Sequence, residues 1–145
     1  MKKFNIDYMM DYEDGDGPQP SPVRVVEYED EEVKEALIDG DEIITQSSVI
    51  QIKFEYPLHN STTLTFTNEG KPFTRKCFWQ AIFDGYTRIY REEDEAAGPT
   101  GTIPGMYNRE TSVGPYGIWG HIIEDLFIEG VVEKKKNFFT LQMGS

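Results

Sequence analysis

Ligands for metals and nucleophiles are scarce in this chain, which has one cysteine and two histidines in 145 residues. The single thiol, Cys77, excludes an internal disulfide and a cysteine-based zinc cluster. A closed metal site would need carboxylates for most of its ligands, so we expect no metal and no cofactor. Cys77 is also next to Phe78 in a segment of helical pattern, where a lone cysteine is typically a small buried residue.

The chain also lacks long apolar runs and the short motifs of common enzymes. No stretch of about 18 apolar residues is present, so no membrane span is predicted. The first residues carry two lysines but no apolar segment of the kind found in targeting peptides. Phosphate-binding glycine loops, serine nucleophile elbows and zinc-protease helices are all missing. These absences predict an intracellular protein, cytoplasmic or nuclear, and favour a binding role over catalysis.

Negative charge is concentrated at the beginning of the chain. Residues 1–45 carry 14 acidic and 4 basic side chains, whereas the remaining hundred carry 12 and 10, for a net charge of −12. Such a front end repels nucleic-acid backbones and anionic membranes and attracts basic protein surfaces. We therefore expect a protein partner with a basic surface. The alternative is an acidic segment that serves only solubility.

Composition divides the chain at about residue 22. Residues 1–22 combine acidic residues, glycine and proline with little apolar content, which predicts an acidic arm that is flexible or ordered by a partner. Residues 23–145 predict a single α+β domain. Several of its segments have the apolar pattern of strands, namely 23–28, 48–56, 62–67, 126–132 and 138–143. The second and third of these predict one antiparallel hairpin, and the last two predict another at the end of the domain. Residues 30–38 predict a short helix capped by Asp30.

The main helix is predicted over residues 75–94, with Thr74 as its N-cap. Aromatic and aliphatic residues recur there at helical spacing, as in an amphipathic helix packed on a sheet. Gly85 interrupts this helix at a cost of about 1 kcal/mol relative to alanine, which indicates a close approach to the sheet. The helix ends in four acidic residues, the wrong sign for its dipole, and we expect that end to be frayed and solvated. The predicted fold is an antiparallel sheet of four to six strands packed on this one long helix.

The segment 114–125, GPYGIWGHIIED, has the most unusual composition of the chain. Its glycines favour a tight turn that presents Tyr116, Trp119 and His121. His121 with Asp125 could act as a base oriented by a carboxylate, and Arg109 in the preceding loop could bind an acidic group. The structural alternative is that the aromatic residues fill the core and His121 forms a local hydrogen bond.

The amino-acid sequence of the C-terminal two thirds resembles a known group of proteins. The runs TRK (74–76), YTRIYREE (86–93) and GPYGIWGHIIEDL (114–126) are similar to an uncharacterised family of proteins from giant DNA viruses and some protists. The resemblance covers roughly residues 50–145. It implies an intracellular location, including a virion or virus factory, and it brings no mechanism with it.

Three hypotheses about function follow. The leading one is a non-enzymatic interaction or structural module whose acidic N-terminal region docks on a basic partner. The second is a small hydrolase-like enzyme centred on His121, with Arg109 and Asp125 nearby. The third is a small-ligand-binding domain that uses a rim formed by Tyr116 and Trp119. The candidate binding residues of the segment and its preceding loop are Tyr116, Trp119, His121 and Arg109. Oligomeric state is left open by the sequence.

Overall fold

The computed structural model describes residues 2–11, 15, 17–97 and 111–145. These form nine strands and two α-helices, together with the 3-10 helices Val25–Glu29 and Ile123–Asp125. The strands are β1 Lys2–Phe4, β2 Asp7–Asp11, β3 Pro18–Pro22, β4 Ile43–Thr45, β5 Val49–Phe54, β6 Thr62–Thr67, β7 Phe73–Thr74, β8 Phe127–Lys135 and β9 Phe138–Gly144. The helices are α1 Glu31–Glu35 and α2 Arg75–Ala97.

A five-stranded sheet with the order β1-β8-β9-β5-β6 forms the centre of the fold. Its hairpins β5–β6 and β8–β9 are the two that alternation predicts. The sheet is not wholly antiparallel as predicted, because β5 and β9 pair in parallel through Gln51 and Phe138. That pairing joins the hairpins, and the chain between them crosses the sheet as α2.

Helix α2 covers one face of the sheet, so the predicted α+β class is confirmed. Thr74 is its N-cap, since the backbone N–H of Cys77 donates to Thr74 Oγ1 at 3.2 Å. The contact between helix and sheet is largely aromatic: Phe78 packs on Phe139 and Tyr86 packs on Phe54, with ring centroids 4.7 and 5.0 Å apart. All four of these rings are buried, which accounts for much of the hydrophobic stabilisation.

The N-terminal segment takes part in the core, whereas the sequence pattern placed the start of the domain at residue 23. Strand β1 pairs with β8, and both Phe4 and Ile6 are buried. Strands β2 and β3 form a hairpin against α1, where the Met9 N–H donates to the Ala36 carbonyl. The reason is that two alternate apolar side chains, Phe4 at the end of β1 and Ile6 just after it, suffice to anchor the segment in the core, although the surrounding composition is polar.

The predicted strand 23–28 is wrong, and a 3-10 helix replaces most of it. The Arg24 N–H donates to the Glu27 carboxylate at 2.7 Å, which closes a turn in place of an extended strand. Val23 and Val25 are fully buried, and the indole N–H of Trp79 donates to the Arg24 carbonyl. The apolar residues therefore fill the core beside α2 without a full strand ladder.

Candidate functional site

Glu93 in the last turns of α2 is a fully buried carboxylate. It accepts a hydrogen bond from the Ser112 hydroxyl. It also accepts four backbone N–H bonds at 2.8–3.3 Å, from Gly114, Tyr116, Gly117 and Ile118. In the described part of the chain no cation pairs with it. The segment 112–118 is thus wrapped around an anion that belongs to the protein itself.

The protonation of Glu93 follows from this arrangement. Burial acts to raise the pKa of Glu93, but the hydrogen bonds from Ser112 and from the backbone amides outweigh it. The net pKa lies below its ordinary value of 4.5, so the carboxylate is charged at neutral pH. Charge-assisted bonds of this kind are stronger than neutral ones and hold the segment tightly to the helix.

Gly114 allows this close approach. A Cβ atom at this position would lie 2.7 Å from Cδ of Glu93, which no side chain tolerates without a shift. The neighbouring Glu92 reinforces the attachment by accepting from the Tyr116 hydroxyl at 2.9 Å and from Arg88 Nε at 2.7 Å. The glycine-rich composition of this segment is therefore explained by its attachment to the end of α2.

Beyond this attachment the chain forms an aromatic cluster, which we define as Tyr56, His59, Trp119 and His121. Trp119 is at its centre, with ring centroids 5.2 Å from Tyr56, 6.5 Å from His59 and 5.9 Å from His121. Next to the cluster, Ser145 Oγ is 2.8 Å from the Tyr56 hydroxyl and 3.2 Å from His121 Nε2. The other imidazole nitrogen, Nδ1, is 3.8 Å from Asp125 Oδ2.

The predicted site residues are thus only partly brought together. Trp119, His121 and Asp125 lie in one neighbourhood, with serine, histidine and aspartate in sequence along a chain of contacts. Tyr116 instead donates a hydrogen bond from its hydroxyl to Glu92 of α2. Arg109 lies outside the described residues.

Several contributors were missed from the sequence, His59 and Ser112 among them. Tyr56 and Ser145 are distant from His121 in the chain, and no local pattern connects them. Glu93 was expected at a frayed, solvated end, and that prediction is wrong because residues 112–118 bury it. The signal that could have found it was the conflict itself: a run of acidic residues at a helix C-terminus needs donors from elsewhere.

The acidic surface, defined as residues 29–42, is the second candidate. All eight of its acidic side chains are exposed, and they are Glu29, Asp30, Glu31, Glu32, Glu35, Asp39, Asp41 and Glu42. Its one cation, Lys34, pairs with Glu31 at 3.3 Å and lies over the Tyr28 ring at 4.4 Å. Arg75 from α2 pairs with Glu42. These carboxylates are therefore displayed on an ordered part of the fold and are only partly neutralised.

Several other features bear on the choice of site. Four cavities of about 180, 360, 290 and 320 Å³ are found in the described structure, and none of the four is lined by Trp119 or His121. Among the described residues, no group of three or more His, Cys, Asp and Glu side chains could hold a metal ion. Among the described helices, none combines the length and the apolar composition of a membrane span.

Comparison of the chain with protein-family models, with curated proteins and with solved structures gives no match. Function must therefore be argued from the geometry and charge of the sites described above.

Proposed function

We propose that the protein is a non-enzymatic interaction module whose acidic N-terminal region docks on a basic surface of a partner protein. The observation that carries the proposal is the acidic surface, whose 14 residues include eight exposed carboxylates and only one lysine. The resemblance to giant-virus and protist proteins supports the proposal that this partner belongs to a larger viral assembly.

Order is what makes this surface suited to specific binding. Asp30 caps α1 by accepting from the N–H groups of Glu32 and Val33, and the Met9 N–H donates to the Ala36 carbonyl. The backbone that carries the carboxylates is thereby held in place, so a partner need not order it on binding. Electrostatic complementarity of this kind speeds association and selects against acidic partners such as nucleic acids.

A charge-neutralised variant tests this proposal. Replacing Glu31, Glu32 and Glu35 by glutamine and Asp41 by asparagine removes half of the exposed charge and leaves the Asp30 cap intact. The matched control neutralises four exposed acids elsewhere, Glu55, Glu95, Glu124 and Glu129. Both variants have the same net charge, so a difference between them reports the location of the charge and not its total.

The measurement is affinity capture from the native source, followed by titration of each purified protein that is retained. We expect a basic partner to bind the wild type and the control alike and to bind the acidic-surface variant at least about tenfold more weakly. Binding should also weaken as salt rises, since exposed charges are screened beyond about 10 Å at 0.1 M. Equal affinity of the two variants would contradict the proposal. So would the absence of a specific partner when the capture is done both at low and at high salt.

A second candidate function, a small hydrolase centred on His121, is favoured by the contacts of Ser145, His121 and Asp125. Histidine between a hydroxyl and a carboxylate is the arrangement that activates a serine nucleophile. The 3.8 Å separation of His121 and Asp125 exceeds a hydrogen bond and would have to shorten when substrate binds.

Labelling with an organofluorophosphonate tests the second candidate. If Ser145 is an activated nucleophile, the reagent labels it, and both His121→Ala and Ser145→Ala abolish that labelling. Ser61→Ala, in an exposed turn, is the matched control and should leave labelling unchanged. Absence of label on Ser145, measured by mass spectrometry of the digested protein, would exclude this activity.

A further inference from the structure

Strand β6 forms one edge of the central sheet, and half of its backbone groups point away from β5. The Asn68 N–H donates to the Ser48 carbonyl at the end of the β5–β6 ladder, at 2.8 Å. Hydrogen-bonded and non-hydrogen-bonded pairs alternate along an antiparallel ladder, so Thr63, Thr65 and Thr67 direct their N–H and C=O groups outward. The contacts of Gln51, which is paired with Thr65, support this assignment. The Gln51 N–H points away from β6 and donates to the Asn137 carbonyl on the opposite side of β5.

This edge differs from the edges formed by β1 and β3. At the opposite end of the sheet, β1 carries Lys2 and Lys3, and charged residues of this kind discourage strand addition. Strand β3 contains three prolines, which lack the N–H that a new strand would need. Strand β6 has the sequence TTLTFT with no charge and no proline, and its register with β5 is regular over six residues. Within the described structure, no other strand pairs with its outer edge.

A cleft of about 180 Å³ lies between β6 and α2, beside this edge. Phe66, Phe73 and Ala81 supply apolar side chains to it. Glu69 and Asp84 add two carboxylates, both on exposed residues. Nearby atoms desolvate the Asp84 carboxylate and raise its pKa, and no cation among the described residues pairs with it. An aliphatic stem that ends in a positive charge fits this combination, since the stem can pack on the rings while the charge meets the acids.

We propose that an extended segment of a partner protein adds to β6 as a sixth strand and places a lysine or arginine side chain in the cleft beside Glu69 and Asp84. The outward N–H and C=O groups of Thr63, Thr65 and Thr67 bind its backbone, as in other cases of strand addition. Side chains alternate along a strand, so the partner segment carries basic residues at every second position on the side of α2. The inference does not depend on the acidic surface and can fail separately from it.

The test uses a labelled peptide of about ten residues in which valine alternates with lysine, and fluorescence anisotropy reports binding. Thr65→Pro removes one outward N–H and none of the ladder bonds to β5, so it should weaken binding at least about tenfold. Thr65→Val keeps the backbone donor and is the matched control, with unchanged affinity expected. Asp84→Asn should weaken binding by about threefold to tenfold. A peptide with glutamate in place of lysine should not bind.

A second measurement keeps the proposal falsifiable if Thr65→Pro fails to fold, which circular dichroism would reveal. Two versions of the lysine peptide, N-methylated at every valine or at every lysine, remove between them all N–H groups that can face β6, so at least one version should lose binding to the unaltered protein. Equal binding of the methylated and unmethylated peptides would overturn the proposal, as would unchanged affinity of a folded Thr65→Pro protein. Failure of the wild type to bind the lysine peptide would also overturn it, as would sedimentation showing a dimer that Thr65→Pro abolishes.

Discussion

Replacing Glu93 with glutamine is expected to lower the free energy of unfolding by roughly 3 kcal/mol. The amide keeps the shape of the side chain but removes the charge that four backbone N–H groups and the Ser112 hydroxyl share. It also turns an NH₂ group towards donors that then have no acceptor. Urea unfolding at neutral pH, followed by circular dichroism, measures the loss.

The same variant should change how stability depends on pH. Because the pKa of Glu93 is lower in the folded protein than its ordinary 4.5, the carboxylate contributes its full stability above that value. This contribution is lost as the pH falls from 4.5 through the lower, folded pKa. The Glu93→Gln protein should therefore lose less stability than the wild type over this acidic range.

Glu95→Gln is the matched control for both measurements. Glu95 is an exposed acid in the same last turns of α2, so its removal relieves the same unfavourable helix dipole without touching the buried site. We expect its stability to remain within about 0.5 kcal/mol of the wild type. A Glu93→Gln protein as stable as this control would refute the structural role of the buried carboxylate. Trp119 emission gives an independent readout, because release of residues 112–118 should expose that half-buried indole.

The second large effect is expected at Gly85, where alanine should lower the free energy of unfolding by roughly 2 kcal/mol. An added Cβ would lie 2.9 Å from Cε1 of Phe54 and closer still to Cζ. The Phe54 ring is fully buried against Tyr86, so it has little room to move. The overpacking cost, about 1–3 kcal/mol and here near the upper end, exceeds the roughly 1 kcal/mol that alanine adds through helix propensity.

A double-mutant cycle with Phe54→Leu separates the two terms. The smaller side chain leaves room for the Cβ atom, so Gly85→Ala should be neutral or stabilising in the Phe54→Leu background. Thr87→Ala, at an exposed position on the same helix, is the control for propensity alone and should not destabilise the protein. If Gly85→Ala costs the same in both backgrounds, steric contact with Phe54 is not the cause.

The two predictions concern two residues of α2 that together position the aromatic cluster. Gly85 sets the distance between α2 and β5, and Glu93 sets the position of residues 112–118 at the end of α2. Trp119 and His121 of the aromatic cluster come directly after this segment in the chain, and the Tyr90 hydroxyl of α2 donates to the His121 carbonyl at 2.9 Å. Any ligand or partner that uses Trp119 and His121 therefore depends on both residues, although neither lies in the cluster.

Local patterns were sufficient for the elements with strong periodicity. The alternation of Ile50, Ile52 and Phe54 predicted β5, and the helical spacing of Phe78, Ile82 and Tyr86 predicted α2. Both predictions are confirmed because the apolar residues of each element pack on a single surface, which gives them a regular spacing in the sequence. The same reasoning misjudged residues 23–28, where Val23 and Val25 enter the core and a capping contact forms a 3-10 helix.

The sequence by itself determined the α+β class, the long capped helix, the two hairpins and the concentration of negative charge before residue 45. Only the tertiary structure decided that Glu93 is buried and that His121 meets Ser145 and Asp125. Only the tertiary structure placed β6 at an edge of the sheet beside an acidic cleft. The periodicity of apolar residues indicates which face of a helix or strand is buried. The donors around Glu93, by contrast, come from residues 19 to 25 positions later, and no local pattern encodes contacts at that separation.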